Sequence, residues 1–261
     1  MADQIALTAF GIADPDTGDL VAPPPMRRPE DVTPHRRPSD DVLAQPIGII
    51  GGTGPAGQGL AARLAANGQA VFIGSRKTKR ARRVADEVKA ELGDDRSERV
   101  FAGTNRQAAA ADFVVLATNA DHTVEAAGVL ASVLAGKIVV SMAASVAPSG
   151  RGMRPVLPSC GSIAESVADV LVGSRVVAAL QHAPAKALDD IERPFPGDVL
   201  VCGDDDEAVS DTISRLGVIE GATFYDAGCL ANAVALESMT AVLLSMNRRY
   251  HRRLSLRVVE G

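Results

Sequence analysis

The sequence predicts an α/β protein: a Rossmann-type doubly wound parallel sheet with a smaller C-terminal domain. Short apolar runs alternate with helical segments through most of the chain, and a glycine-rich turn directly follows the first apolar run. The alternation favours parallel strands, because a parallel strand can return only through a crossover. The length of 261 residues allows one large domain, or one domain with a smaller companion.

Three regions are predicted along the chain. Residues 1–45 contain Pro23-Pro24-Pro25 and are expected to form a disordered tail, since prolines fix φ and remove backbone donors. Residues 46–184 carry the strand–helix alternation and are expected to form the Rossmann domain. Residues 185–261, where the alternation loosens, are expected to form a small C-terminal domain that completes a substrate cleft.

The individual elements follow from apolar periodicity and from helix stop signals. Residues 47–50 are a short apolar run typical of a strand buried on both faces, and the helix that follows ends at Asn67-Gly68. Further strands are predicted at 70–73, 112–117, 137–141, 175–180 and 198–203. Helices are predicted at 60–66, 78–92, 122–134, 163–171, 207–216 and 236–246.

Composition excludes several classes of function. A net charge of -5 argues against a general nucleic-acid binder, and 3% aromatic residues with no Trp argue against base-stacking platforms. The three cysteines form no metal-like cluster and are expected to be reduced. No signal peptide is evident, and charged residues or glycines interrupt the apolar stretches. We therefore expect a soluble, cytoplasmic protein with no membrane or nucleic-acid partner.

The glycine-rich turn predicts a dinucleotide site. A pyrophosphate needs close backbone N–H groups and a helix N-terminus. Gly52 is expected to permit the tight turn, Gly54 to let the backbone approach the pyrophosphate, and Gly57 to let the helix pack near the strand. The context, an apolar strand before the turn and a helix after it, is the one that this motif requires. The predicted binding segment is Gly52-Thr53-Gly54-Pro55-Ala56-Gly57.

The end of the second strand favours NADP(H) over NAD(H). An NAD site usually places an acid there for the ribose hydroxyl, whereas this chain has Gly74-Ser75-Arg76-Lys77. Arg76 is expected to bind the 2′-phosphate through paired hydrogen bonds, with hydroxyls donated by Ser75 and Thr53. Lys79 lies in the basic run that follows and is included among the predicted coenzyme contacts.

These residues resemble the NADPH-dependent reductases of the deazaflavin coenzyme F420. The resemblance begins with Gly51-Gly52-Thr53-Gly54-Pro55-Ala56-Gly57-Gln58-Gly59 and Gly74-Ser75-Arg76. It continues through 137–141, 202–207, 226–228, 237–238 and 247–250, and covers about residues 46–259. It implies reversible hydride transfer between C4 of NADP(H) and C5 of the deazaflavin, with F420 as co-substrate. It also implies a homodimer whose two rings stack in a cleft between the domains.

The resemblance also assigns residues on the second-substrate side. In the family, a His-rich segment ending in Pro occupies the position of Gln181-His182-Ala183-Pro184 and helps to form the deazaflavin site. His182 is therefore the candidate catalytic residue, expected to stabilise charge that develops on the reduced deazaflavin ring. A structural role for His182 in its loop is the alternative. Asn119 follows a strand and is expected to border the nicotinamide ribose. Thr118 and Ala143 are predicted coenzyme contacts beside it.

Alternatives of different classes stay open. Thr118-Asn119-Ala120 and residues 141–146 depart from the family pattern near the second substrate, which keeps an NADP-dependent imine or keto-acid reductase possible in principle. A non-catalytic NADP(H) sensor is the third alternative. No metal is expected, because the acids of Asp204-Asp205-Asp206-Glu207 are explained by capping of the following helix.

Overall fold

An eight-stranded, mostly parallel sheet organises the chain in a computed structural model, which describes residues 37–259 and two short strands before them. Those two strands, β1 (Ile12–Ala13) and β2 (Leu20–Val21), pair antiparallel as a separate unit. The strands that follow are β3 (Ile47–Ile50), β4 (Val71–Ser75), β5 (Val100–Thr104), β6 (Phe113–Leu116), β7 (Ile138–Ser141), β8 (Val146–Ser149), β9 (Gly152–Pro155), β10 (Arg175–Ala178), β11 (Val199–Gly203) and β12 (Phe224–Asp226).

Helices connect the strands and cover the sheet. They are α1 (Asp40–Ala44), α2 (Pro55–Ala66), α3 (Thr78–Leu92), α4 (Asp94–Ser97), α5 (Asn105–Ala108), α6 (Ala120–Leu134), α7 (Ile163–Val170), α8 (Ala185–Asp189), α9 (Asp206–Leu216) and α10 (Ala233–Tyr250). The boundaries predicted for α3 match the structure. The first helix after the turn starts earlier than predicted, because Pro55 occupies its first position.

The strand order explains where a ligand binds. The sheet runs β12-β11-β10-β7-β6-β3-β4-β5, and β3 to β7 with β10 are parallel. This order reverses between β3 and β6, and a crevice forms at the carboxyl ends of strands where such a reversal occurs. The predicted Rossmann fold is confirmed. The antiparallel pairing of β10 with β11 is the one departure from parallel order within the eight-stranded sheet.

Both faces of the sheet are buried. One apolar cluster contains Ile47, Ile49 and Val71 with α2 and α3, and the other contains Ile50 and Val114 with α6 and α7. Alternate residues of β3 point to opposite faces, and all four are inaccessible to solvent. This two-sided burial is why the parallel strands are continuous apolar runs in the sequence.

The predicted disordered tail through residue 45 needs a correction. Residues 40–44 form α1, and Leu43 is only 1% exposed. The side chain of Gln69 donates to the carbonyls of Leu43 and Gln45, at 3.2 and 2.8 Å. Arg215 also donates to Gln45, at 2.8 Å. Contacts with residues far along the chain therefore order α1, although its local sequence has only weak helical signals. The rest of the predicted tail, residues 1–36, lies mostly outside the described residues.

Some elements were missed because their sequences are short and partly polar. β5 is an edge strand with Phe101 exposed, and the hairpin of β8 and β9 packs on α10. The amide of Met153 in β9 donates to Ser245 Oγ at 2.7 Å. Residues 185–261 contribute β11 and β12 to the main sheet. The predicted domain boundary at residue 184 stays a prediction.

Candidate functional site

The glycine-rich turn closes tightly at the end of β3. The amide of Gly52 donates to the carbonyls of Ile49 and Gly74, at 3.2 and 3.0 Å, and the amide of Gly54 donates to Gly51 at 3.1 Å. Gly51 has a φ of 76°, in the left-handed region that favours glycine. The conformational demand therefore falls on Gly51, one residue before the predicted Gly52. The Gly51-Gly52 pair directly after an apolar strand was the sequence signal that could have identified Gly51 as the residue with positive φ.

Two glycines of the turn are required by packing, and a third is not. A methyl group on Gly57 would lie 2.7 Å from the Cα of Gly52, and one on Gly52 would lie 3.0 Å from the carbonyl oxygen of Ile49. At Gly54 the nearest atom would be the carbonyl oxygen of Gly51, at an ordinary 3.7 Å. The protein itself leaves room at Gly54, which is what a backbone approached by a ligand requires.

The N-terminus of α2 offers donors to an anion. Gly54 is the N-cap with extended backbone, Pro55 occupies the first turn, and no acidic residue lies in that turn. The first N–H groups of a helix have no partner within the helix, and the helix dipole adds partial positive charge there. A pyrophosphate fits this end of α2.

Polar side chains from the end of β4 and from α3 lie beside the turn. Ser75 is buried at the end of β4, and its Oγ lies 3.4 Å from Oγ1 of Thr53. Arg80 donates from Nη2 to the carbonyl of Thr53 at 3.1 Å. The side chains of Arg76 and Lys79 are exposed and make no hydrogen bond or ion pair with other described residues. Arg80 was missed by the sequence reasoning, although it belongs to the basic run that follows β4, which was the available signal.

The end of β6 borders the turn on one side. A methyl group on Gly51 would lie 2.6 Å from Cγ2 of Thr118, so Thr118 lies directly against the turn. Its Oγ1 lies 2.9 Å from the Oγ1 of Thr123. Asn119 is the exposed N-cap of α6, and its side chain makes no capping hydrogen bond. Asn105 was missed: its Oδ1 accepts from the amide of Gly51 at 3.3 Å.

Ala143 lies just beyond β7 and is 3% exposed. It belongs to the apolar cluster that also contains Ile50, the residue before the turn. The structure thus places Ala143 just beyond the end of β7 and Thr118 just beyond the end of β6, the strand between β3 and β7.

His182 is buried just after β10. Its Nε2 lies 3.1 Å from the carbonyl oxygen of Asp198. Burial lowers the pKa of His182, and the hydrogen bond to Asp198 offsets this only in part. The neutral ring therefore donates from Nε2 to Asp198. Nδ1 is buried and has no hydrogen-bond partner among the described residues.

The loop around His182 joins three parts of the fold. Leu180 has a φ of 67°, which is unusual for a branched residue. Gln181 donates from Nε2 to the carbonyl of Ser141 at 3.4 Å, and its own carbonyl accepts from Thr240 Oγ1 at 2.9 Å. The loop therefore links the ends of β7 and β10 to α10.

Arg63 fixes the helix that follows this loop. Its guanidinium donates to the carbonyls of Leu188 and Ala187, at 3.1 and 2.7 Å, to that of Arg193 at 3.0 Å, and to that of Asp190. Arg63 is 2% exposed, and burial lowers its pKa. Hydrogen bonds from the guanidinium to carbonyls at and beyond the C-terminal end of α8 offset the cost of burying Arg63. These hydrogen bonds hold α8 against α2.

A buried carboxyl group lies on α10. Glu237 accepts from the amides of Ile163 and Ala164 at 2.9 and 3.0 Å, at the start of α7. Burial raises the pKa of Glu237 to about 7, against the effect of these two hydrogen bonds. Burial likewise raises the pKa of the Cys202 thiol to about 12, so the thiol stays protonated. No group of three metal-ligating side chains occurs within the described residues.

Residues 230–250 form a segment long and apolar enough to cross a membrane by length and composition alone. One such helix is weak evidence, since core helices of soluble proteins meet the same criterion. Here the segment packs on β9 and on α7 and carries the buried Glu237.

Comparisons with known proteins show the family of this chain. Residues 46–145 match the family model described as NADP oxidoreductase, coenzyme F420-dependent. The F420-dependent NADP reductase of Methanocaldococcus jannaschii is 36% identical over 208 residues, covering 78% of this chain and 93% of the relative. The reductase of the same name from Methanothermobacter marburgensis is 32% identical, covering 77% of this chain and 92% of the relative.

Solved structures agree at the level of the fold. A crystal structure of a candidate F420-dependent NADP-reductase from Arthrobacter sp. FB24 superposes with a TM-score of 0.69 at 25% identity, covering 82% of this chain and 99% of that chain. An imine reductase from Streptomyces aurantiacus gives a TM-score of 0.51 at 19% identity, covering 79% of this chain and 62% of that one, a likeness that shows the fold alone. By the identity and coverage of its relatives, the chain belongs to the F420-dependent NADP reductase family.

Proposed function

We propose that this protein transfers a hydride reversibly between C4 of NADP(H) and C5 of the deazaflavin coenzyme F420. The observation that carries the proposal is an NADP-type turn at the switch point of the sheet, in a chain that belongs to this family. The bound coenzymes supply the redox chemistry, and the protein supplies binding and alignment.

The coenzyme contacts follow from the geometry of the turn. The backbone of residues 52–57, with Pro55 and Ala56 in the first turn of α2, holds the pyrophosphate at the helix N-terminus. Thr53 and Ser75 offer hydroxyls to the 2′-phosphate, and Arg76 supplies the charge. We add Arg80 to this group, because its contact with Thr53 places a second guanidinium beside the same phosphate. Lys79 lies next to it and contributes to the positive field.

The nicotinamide and its ribose lie toward the ends of β6 and β7. Thr118 contacts the turn, Asn119 presents an uncommitted side-chain amide to the ribose, and buried Ala143 forms the apolar floor. Hydride transfer between two carbon centres needs the rings held together and water excluded, and no acid/base pair.

His182 is assigned a positioning role. Its neutral ring donates from Nε2 to the carbonyl of Asp198, and Nδ1 is buried. The hydrogen bond to Asp198 therefore holds the loop at the end of β10 in place. This geometry favours positioning over direct stabilisation of charge on the reduced deazaflavin. The catalytic role expected for His182 stays a prediction.

We also propose a cytoplasmic homodimer that binds neither membrane nor nucleic acid. Exposed apolar side chains on α10, namely Val242, Leu244, Met246 and Tyr250, support a second copy as the partner of this helix. Sedimentation equilibrium of the full chain is expected to give twice the mass of one chain. Val242→Asp, which puts a charge among these exposed side chains, is expected to shift the protein toward one chain mass, whereas an unchanged mass would place the interface elsewhere.

Isotope transfer tests the chemistry. NADPH carrying deuterium at the transferred C4 position is expected to give reduced F420 that holds one carbon-bound deuterium after transfer in ordinary water. Deuterium recovered in the solvent would contradict direct hydride transfer. A non-catalytic sensor would bind NADPH and form no reduced F420 at all.

A further inference from the structure

A cavity of about 380 Å³ lies at the amino ends of β3 and β6, at the edge of the sheet opposite to the glycine-rich turn. It is lined by Pro46 directly before β3, by Asp112 directly before β6, and by Phe72 near the start of β4. The turn follows the last residue of β3, so the length of this strand, about 13 Å, separates the cavity from the turn. The cavity is therefore distinct from the proposed coenzyme site.

Arg215, near the end of α9, brings a buried cation to this cavity. The residue is 8% exposed, and its guanidinium carbon lies 5.2 Å from the centroid of the Phe113 ring. Nη2 donates to the carbonyls of Val42 and Gln45, at 3.3 and 2.8 Å. Nε is buried and has no hydrogen-bond partner among the described residues. The guanidinium thus keeps a donor that the surrounding chain does not satisfy.

The charges around Arg215 compensate it only in part. Burial lowers the pKa of Arg215, and the carboxylates of Asp211 and Asp112 oppose this effect without cancelling it. Asp112 is exposed at the rim of the cavity and forms no ion pair with Arg215. A buried guanidinium without an ion pair is stabilised by an anion beside it, and a carboxylate matches its planar set of donors.

The other walls of the cavity combine apolar surface with one amide. The ring of Phe72 is partly buried, and Ala110 and Ala111 add methyl groups. Oε1 of Gln107 accepts from the amide and the hydroxyl of Thr104, at 2.9 and 3.2 Å, which leaves the side-chain NH2 group of Gln107 as a donor. These walls suit a ligand with an apolar body. The exposed acid at the rim disfavours a ligand with a second negative charge.

We propose that this cavity binds a small monocarboxylate with an apolar body. The carboxylate pairs with the guanidinium of Arg215, and the body packs on Phe72 and Ala110. The inference goes beyond the proposed hydride transfer and does not depend on it. Since the cavity and the glycine-rich turn lie at opposite edges of the sheet, the site stays open when NADPH is bound.

The test titrates the isotope-labelled full chain with phenylacetate and with phenylacetamide, which has the same body and no charge. Backbone amide signals are followed by NMR. Phenylacetate is expected to cause saturable shifts in the signals of residues 107–112 at roughly millimolar concentration, because a ligand of this size gains little binding free energy. Phenylacetamide is expected to bind at least about tenfold more weakly. Saturating NADPH is expected to leave the phenylacetate affinity unchanged.

Two variants and one control locate the ligand. Arg215→Gln is expected to abolish the preference for phenylacetate over phenylacetamide. Ala110→Phe fills the cavity and keeps Arg215, so it tests the site even if Arg215→Gln does not fold. It is expected to weaken phenylacetate binding at least about tenfold. Ala90→Phe is the matched control, since Ala90 is an exposed alanine of α3 that does not line the cavity. It is expected to bind phenylacetate as the unmodified chain does.

Equal affinities of the unmodified chain for phenylacetate and phenylacetamide would overturn the inference, because the charge would then play no part. Three other results would overturn it as well: no saturable shifts at residues 107–112, loss of these shifts in the presence of NADPH, or unchanged phenylacetate binding by Ala110→Phe.

Discussion

The two sides of the proposed site are built from contacts of different range along the chain. On the coenzyme side, Thr53 meets Ser75 and Arg80, residues 22 and 27 positions away. On the second-substrate side, Arg63 binds carbonyls 124 to 130 positions away, and Thr240 binds Gln181 across 59 positions. The coenzyme side is therefore formed by residues close together in the sequence, whereas the geometry of the second-substrate side depends on how distant elements pack.

The largest expected effect tests the coenzyme side. Gly54→Val is expected to weaken NADPH binding by at least about a hundredfold, because the side chain occupies the space of the pyrophosphate. The fold has room for it, so the melting temperature is expected to change little. Gly57→Val is the contrast: its side chain meets Gly52 at 2.7 Å, and it is expected to destabilise the fold itself.

Fluorescence titration with NADPH and thermal unfolding separate these two effects. Unchanged NADPH affinity in Gly54→Val would show that the pyrophosphate does not approach the turn at this position.

The second prediction concerns the ordered segment before β3. The free energy of unfolding of a chain beginning at Pro46 is expected to be about 3 kcal/mol lower than that of a chain beginning at Arg37. The shorter chain lacks the buried side chain of Leu43, and the side chains of Gln69 and Arg215 lose the carbonyl of Gln45 as acceptor. Urea unfolding of both chains measures the difference. Equal stabilities would mean that α1 contributes nothing to the body of the fold.

The third prediction concerns the choice of coenzyme. Arg76→Ala is expected to raise the Kd for NADPH roughly tenfold to thirtyfold through loss of a charge-assisted contact, and to leave the Kd for NADH unchanged. Arg82→Ala is the control for this measurement, since Arg82 is an exposed cation on α3. Equal losses for NADPH and NADH would remove Arg76 from the 2′-phosphate site.

These differences explain what the sequence could predict. The sheet, α3 and the coenzyme turn follow from local periodicity and from the glycine motif. The ordering of α1, the buried role of Arg63 and the orientation of His182 depend on partners far along the chain, and no local pattern identifies such partners. The sequence shows Arg80 as part of a basic run, but the contact of its side chain with Thr53 depends on where α3 begins.

The smallest expected effect tests His182 on the second-substrate side. Burial lowers the pKa of His182 below the ordinary histidine value of 6.5, so the folded state favours the neutral ring. Stability from this residue is therefore present above about pH 6.5 and is lost as the pH falls below it, because the unfolded chain then binds the proton more tightly. Relative to His182→Gln, the unmodified chain is expected to lose stability between pH 6.5 and 5.

Parallel pH dependence of the unmodified chain and His182→Gln in thermal unfolding would contradict the neutral, buried assignment. A kcat that follows a His titration between pH 6.5 and 8 would instead return His182 to a direct catalytic role.

The central claim is tested most directly by mixing the full chain with NADPH and oxidised F420 and following the visible absorbance of the deazaflavin. We expect the absorbance to disappear with NADPH and to persist much longer with NADH at the same concentration, because Arg76, Ser75 and Thr53 are proposed to bind the 2′-phosphate that NADH lacks. Persistent absorbance despite measured NADPH binding would contradict hydride transfer to F420 and leave only the coenzyme site standing.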